Sequence, residues 1–98
     1  MAAQSYTMTS AAPTQPASGS YALLVDYPTI KVAGLNSSAV VFVRLSFDGS
    51  NPDATDSVGQ AIEDNGLIEL SAKTGDKIVF VGKNIESGND VTIEVRSS

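Results

Sequence analysis

The chain has 98 residues, which is enough for one domain with one modest core. Eleven acidic and six basic side chains give a net charge of -5, which repels a phosphate backbone and predicts that nucleic acid is not a direct partner. The absence of cysteine excludes disulfides and thiolate metal sites, and the absence of histidine excludes a catalytic triad with a histidine base.

Residues 1–20 consist mainly of Ala, Ser, Thr, Gln and Pro and contain no Ile, Leu, Val or Phe. All 25 residues of those four types lie after residue 22, so the N-terminal segment has too little apolar surface to fold alone. We therefore predict a flexible or extended arm at residues 1–20 and a folded domain at 21–98. The arm has no secretory signal pattern, and no stretch of the chain approaches the roughly 20 apolar residues of a membrane span. We therefore predict synthesis and use in the cytoplasm, with later release from the cell as an open alternative, and no membrane partner.

The arm is the first candidate for contacts with another protein. Tyr6 is its one aromatic residue and is suited to anchor in a groove of a partner. Two prolines bias the segment away from helix, and an extended chain of this length can reach a neighbouring subunit. The candidate partner-binding residues of the arm are Gln4, Tyr6, Met8, Pro13 and Pro16.

After residue 20, short apolar runs are separated by Gly, Asn, Asp, Ser and Pro, which is typical of many short strands joined by turns. Val91, Ile93 and Val95 alternate with polar residues, as in an antiparallel strand with one buried face. We predict strands at about 21–26, 29–33, 39–47, 58–62, 66–71, 77–83 and 90–96. The predicted fold is all-β, an antiparallel β-sandwich or small jelly roll of about seven strands, with a partly open barrel as the next alternative.

Two of these strands are apolar on both faces, which requires cover on both. In the strand at 77–83, Val79 and Val81 face away from Ile78 and Phe80. We expect a second sheet to cover one side and a partner to cover the other. Arg44 lies alone in the apolar strand at 39–47, where it is either an outward-facing residue near a carboxylate or one half of an interface salt bridge.

Other candidate sites are weaker. The loop at residues 48–56 gathers three carboxylates and an Asn, which are ligand types that suit Ca²⁺, but it lacks the EF-hand spacing and contains Pro52. A solvated turn is favoured there.

The chain has no Trp and only three Tyr to form a sugar-binding platform, and no spacing pairs two carboxylates across a cleft. We predict a protein that is not an enzyme and needs no cofactor.

Four segments together resemble a known group of proteins. They are Val41-Phe-Val-Arg-Leu-Ser-Phe-Asp-Gly49, Val58-Gly-Gln-Ala-Ile62, Leu67-Ile-Glu-Leu-Ser71 and Val91-Thr-Ile-Glu-Val95. This order of strands and turns, which covers roughly residues 39–96, resembles small β-sandwich virion proteins of tailed bacteriophages.

The resemblance implies a capsid decoration or cement protein, with a head-tail accessory or fibre-base protein as a close variant. It implies the major capsid protein or another virion protein as partner, a homo-oligomer, and a location in the virion after assembly in the host cytoplasm. In such proteins a compact β domain sits on the capsid and an extended terminus crosses to the next subunit, so residues 1–20 are expected to act as a strap. The alternative from another class is a ligand- or carbohydrate-binding β-sandwich module.

Overall fold

The computed structural model describes residues 2–16, 18–52, 60–63 and 66–97. These residues form nine β-strands, and no helix among them is long and apolar enough to cross a membrane. The strands are β1 (Ala2–Met8), β2 (Thr14–Gln15), β3 (Tyr21–Ala22), β4 (Thr29–Ala33), β5 (Val40–Ser46), β6 (Gln60–Ile62), β7 (Leu67–Glu69), β8 (Lys77–Lys83) and β9 (Val91–Arg96). The fold is all-β, as the turn-rich sequence predicts.

The strands form two antiparallel sheets that pack as a sandwich. The first sheet has the order β1-β9-β4-β7, and the second has the order β2-β8-β5-β6, with β3 also pairing with β8. With β3 set aside, eight strands remain, and the first four pair with the last four in reverse order: β1 with β9, β2 with β8, β4 with β7 and β5 with β6. A long hairpin rolled up in this way is the jelly-roll form of the β-sandwich.

The core lies between the two sheets and is built from alternate residues of each strand. In β4, Ile30 and Val32 are fully buried, and in β9 Val91, Ile93 and Val95 are fully buried while the residues between them face outward. The alternation that predicts a half-buried strand at the C-terminus is therefore confirmed.

The N-terminal segment differs from the predicted separate arm. β1 pairs with β9 from Ala2↔Arg96 to Met8↔Val91, with one irregularity in register between Ala2 and Gln4, and β2 pairs with β8. Pairing with an existing sheet satisfies backbone groups without many apolar side chains, so a segment poor in Ile, Leu, Val and Phe can still form an edge strand. Residues 2–16 belong to the sandwich, and the boundary predicted at residue 20 does not divide the described chain.

The doubly apolar strand β8 is covered on both faces by the chain itself. Ile78 and Phe80 belong to the core between the sheets, and Val79 and Val81, on the opposite face, are 0% and 2% exposed. A partner is therefore not required to bury these two valines, contrary to the expectation from the sequence.

Candidate functional site

Gln4, the first predicted partner residue, links the two sheets at the β1 side of the sandwich. Its Nε2 donates to the carbonyl oxygen of Ala22 at 3.1 Å, and its Oε1 accepts from the backbone N–H of Leu24 at 3.1 Å. The same Nε2 also donates to the hydroxyl oxygen of Tyr6. One amide side chain thus satisfies a donor and an acceptor at the end of β3.

Tyr6, the predicted anchor, packs inside the same chain. Its ring stacks on that of Tyr21 with a centroid distance of 3.9 Å, and it lies 5.8 Å from the ring of Phe80. Burial raises the pKa of Tyr6 and of Tyr21 above the ordinary tyrosine value, because both hydroxyls lose hydration. The Tyr21 hydroxyl donates to Oε1 of Gln15 at 3.3 Å, so the stacked pair bridges β1, β2 and β3.

The other predicted residues are spread over the sandwich. Met8 is fully buried in the core, and the carbonyl oxygen of Pro13 accepts from the N–H of Gly82 at 2.7 Å. Pro16 follows Gln15 through a cis peptide bond. Arg44 lies on the outer face of β5, half-buried and directly across from Val79 of β8. The structure brings Gln4 and Tyr6 into contact. Arg44 lies on β5, which is separated from the N-terminal strand β2 by β8 in the strand order.

Three of the four large apolar side chains that are exposed among the described residues lie near one end of the sandwich. Leu24, Tyr27 and Phe47 are 62%, 52% and 64% exposed. All three border the chain segment 72–77. The N–H of Leu23, next to Leu24, donates to the carbonyl oxygen of Asp76, and the N–H of Tyr27 donates to that of Ala72. Ser46, next to Phe47, is paired with Lys77. We call Leu24, Tyr27 and Phe47 the apolar end.

The backbone of the loop that carries Leu24 and Tyr27 is hydrogen-bonded to residues 72–76. The N–H of Gly75 donates to the carbonyl oxygen of Leu23 at 2.9 Å, and the N–H of Tyr27 donates to that of Ala72 at 2.7 Å. Tyr27 has a φ of 48°, a left-handed conformation that is costly for an aromatic residue. The buried Pro28 follows it and accepts from the N–H of Leu70. The exposed Tyr27 ring is therefore presented from an anchored backbone.

Sequence patterns alone missed the apolar end. Leu24 falls inside the strand predicted at 21–26, but β3 ends at Ala22 and residues 24–27 bend. In a continued strand, Phe47 would face inward like Val41 and Val43. However, β5 ends at Ser46, so Phe47 extends beyond the core. The signal that could have revealed Leu24 is the run Leu23-Leu24-Val25, where an alternating strand cannot bury every member.

The described part of the acidic loop forms a compact turn around one carboxylate. Asp48 Oδ1 accepts from the Ser50 hydroxyl at 2.6 Å, from the Ser46 hydroxyl at 2.7 Å and from the Ser50 N–H at 3.0 Å. Asp53 and Asp56 lie outside the described residues, so the cation hypothesis for residues 48–56 stays a prediction. Within the ranges that the structure describes, no three acidic, His or Cys side chains form a group able to hold a metal ion.

The Asp48 turn has a testable titration. The hydroxyls of Ser50 and Ser46 hold the pKa of Asp48 well below its usual range, because they bond to the charged form. Because the folded-state pKa is lowered, the charged carboxylate stabilises the turn at pH values above the ordinary Asp pKa of about 3.9. This stabilisation is lost as the pH falls through the folded-state pKa. In an NMR titration we expect Asp48 to protonate at a lower pH than a peptide Asp and Ser50→Ala to raise its midpoint. Ser37→Ala is the control; an unchanged midpoint in Ser50→Ala would contradict the assignment.

A second candidate site is a cleft at the end of the sandwich that carries the β4–β5 connection. Its volume is about 570 Å³, and it is lined by residues 35–40 and Glu63. Asn36 fixes one wall, because its Nδ2 donates to the carbonyl oxygen of Asn84 at 3.0 Å. The exposed hydroxyls of Ser37 and Ser38 and the Glu63 carboxylate offer hydrogen bonds to a polar ligand.

Comparisons of the chain with protein-family models, with curated proteins and with solved structures find no match.

Proposed function

We propose that the protein is a non-enzymatic structural protein of a virus particle, which binds and reinforces a capsid as decoration and cement proteins do. One support is the resemblance of residues 39–96 to the strand and turn pattern of small virion proteins of tailed bacteriophages. Jelly rolls also recur in viral capsid domains, but lectin domains use the same fold, and a fold alone does not identify a function. The proposal therefore requires a surface that is suited to bind another protein.

The observation that carries the proposal is the apolar end. Exposed apolar clusters mark protein–protein contact sites more often than isolated apolar residues do, and aromatic side chains contribute strongly to binding. Leu24 and Tyr27 project from a loop whose backbone is bonded to residues 72–76, so little conformational entropy is lost when a partner binds.

This proposal moves the attachment point from the arm to the apolar end. Gln4, Tyr6 and Met8 make their contacts within the sandwich, so the proposal does not use them as a strap. The partner is the major capsid protein or another virion protein, and the protein is located in the virion. Since a capsid presents many equivalent sites, modest affinity at each site is sufficient when the copies are linked.

The test uses capsids of the phage whose genome encodes the protein, prepared without the protein itself. It measures how many copies of the purified protein bind to them. We expect the double variant Leu24→Ser, Phe47→Ser to reduce bound copies by about tenfold or more, which corresponds to the loss of a binding hot spot. Leu67→Ser is the matched control, because Leu67 is 59% exposed but lies on β7, outside the apolar end. Wild-type protein that does not bind capsids, or an equal loss with Leu67→Ser, would overturn the proposal.

The cleft favours the second candidate function, a ligand- or carbohydrate-binding module. In that case capsids would not bind the protein. A sugar would instead shift the NMR signals of Ser37, Ser38 and Glu63, which line the cleft, and leave those of the apolar end unchanged.

A further inference from the structure

The four edges of the two sheets are unequal. β6 and β7 have three residues each, and β2 and β3, which share one edge of β8, have two residues each. Pro13 and Pro16 bracket β2. Short strands and prolines are the usual means by which a β protein prevents its edges from pairing with other chains. Among the residues that the structure describes, these means protect three of the edges.

The remaining edge, β1, has none of that protection. It runs for seven residues from Ala2 to Met8 and contains neither a proline nor a charged residue. In the part of the chain that the structure describes, β1 pairs with β9 and has no strand on its other side. From Gln4 to Met8 the register with β9 is continuous, so this edge offers a regular row of backbone donors and acceptors.

The surroundings of β1 favour a second copy of the same chain over a charged partner. The side chains of Ser5 and Thr7 are exposed on the outer face of the sheet. Glu94 lies opposite Ser5 on β9, and its Oε2 is 2.7 Å from Nη2 of Arg96. Two copies of a chain with a net charge of -5 repel each other over most of their surfaces, but not along this uncharged strand.

We propose that two copies associate through β1, antiparallel and edge to edge, so that the two four-stranded sheets form one continuous eight-stranded sheet. Such a contact is two-fold symmetric and uses the same strand twice. The Glu94 side chains of the two copies would then be separated by three strand spacings, about 14 Å, which exceeds the screening length of about 8 Å at physiological salt. This inference does not depend on the capsid proposal, because it concerns the purified protein.

The test is sedimentation equilibrium on the full chain. We expect wild-type protein to reach twice the 10.1 kDa chain mass. Ser5→Lys with Thr7→Lys should weaken the dimer about tenfold or more, since like charges then face each other across the new strand pair. Thr92→Lys is the matched control: Thr92 is exposed on the same face and lies directly opposite Thr7, but on the inner strand β9. It should leave the dimer intact.

A mixing experiment makes the test independent of any folding defect. Ser5→Glu with Thr7→Glu should be monomeric alone and should form a heterodimer when mixed with the lysine variant, because opposite charges then meet across the strand pair. Circular dichroism checks that each variant is folded. A monomeric wild-type protein, equal dissociation by Thr92→Lys, or no heterodimer from two folded variants would each overturn the proposal.

Discussion

Replacing Met8 by alanine is expected to lower the free energy of unfolding by about 2–5 kcal/mol, the range for a buried long side chain that leaves a cavity. Met8 is fully buried although it lies at the end of β1, near the N-terminus. Urea denaturation gives the measurement. Two controls bracket the effect: Met8→Leu should cost less than about 1.5 kcal/mol because volume is conserved, and Thr7→Ala changes an exposed neighbour.

Deleting residues 2–8 extends this prediction to the whole strand. The deletion removes the pairing partner of β9 from Ala2 to Met8 and leaves the N–H of Leu24 without the oxygen of Gln4. A domain of this size is stable by only about 5–15 kcal/mol, so we expect the cooperative transition to be lost or shifted far toward low urea. A truncated protein with unchanged stability would mean that the segment is an independent arm.

Gly82→Ala is expected to cost about 1–3 kcal/mol by overpacking. A Cβ atom at Gly82 would overlap Sδ of Met8 and lie 3.0 Å from the carbonyl oxygen of Pro13 and 3.1 Å from Cγ1 of Ile85. The lack of a side chain at this position is what allows Met8 and the Pro13 backbone to approach β8. The measurement is again the free energy of unfolding.

A double-mutant cycle tests whether Met8 causes that cost. Met8→Ala removes the sulfur that the new Cβ would meet, so the double variant should be destabilised by less than the sum of the two single effects, with a coupling of about 0.5–3 kcal/mol. Thr92→Ala, at an exposed position on β9, provides the control cycle and should combine additively with Gly82→Ala. Additive behaviour of the Met8 pair would show that β1 does not pack on β8 as described.

The strands after residue 20 could be predicted because their signals are local. Val91, Ile93 and Val95 show in the sequence which face of β9 is buried, and the structure buries those three side chains. Gly and Asn at turns mark where strands end. These signals depend on neighbours within a few residues, so they need no knowledge of the rest of the fold.

β1 escaped prediction because its inward residues are of unexpected types. Gln4, Tyr6 and Met8 alternate with the exposed Ser5 and Thr7, which is a two-residue period. This period is not detected when only Ile, Leu, Val and Phe are counted as apolar residues. Gln4 is suited to an inward position because the Ala22 carbonyl accepts from its amide nitrogen and the Leu24 N–H donates to its amide oxygen. That arrangement depends on residues about 20 positions away.

The amino-acid sequence by itself determined the all-β class, the approximate positions of most strands after residue 20 and the alternation of buried and exposed faces in β4 and β9, because each of these depends on short-range periodicity and turn chemistry. Only the tertiary structure decided that the first strand pairs with the last, that the order of strands is a jelly roll and that Leu24, Tyr27 and Phe47 share one end. Those features are contacts between segments distant in the chain, and no local pattern specifies which strand edges meet.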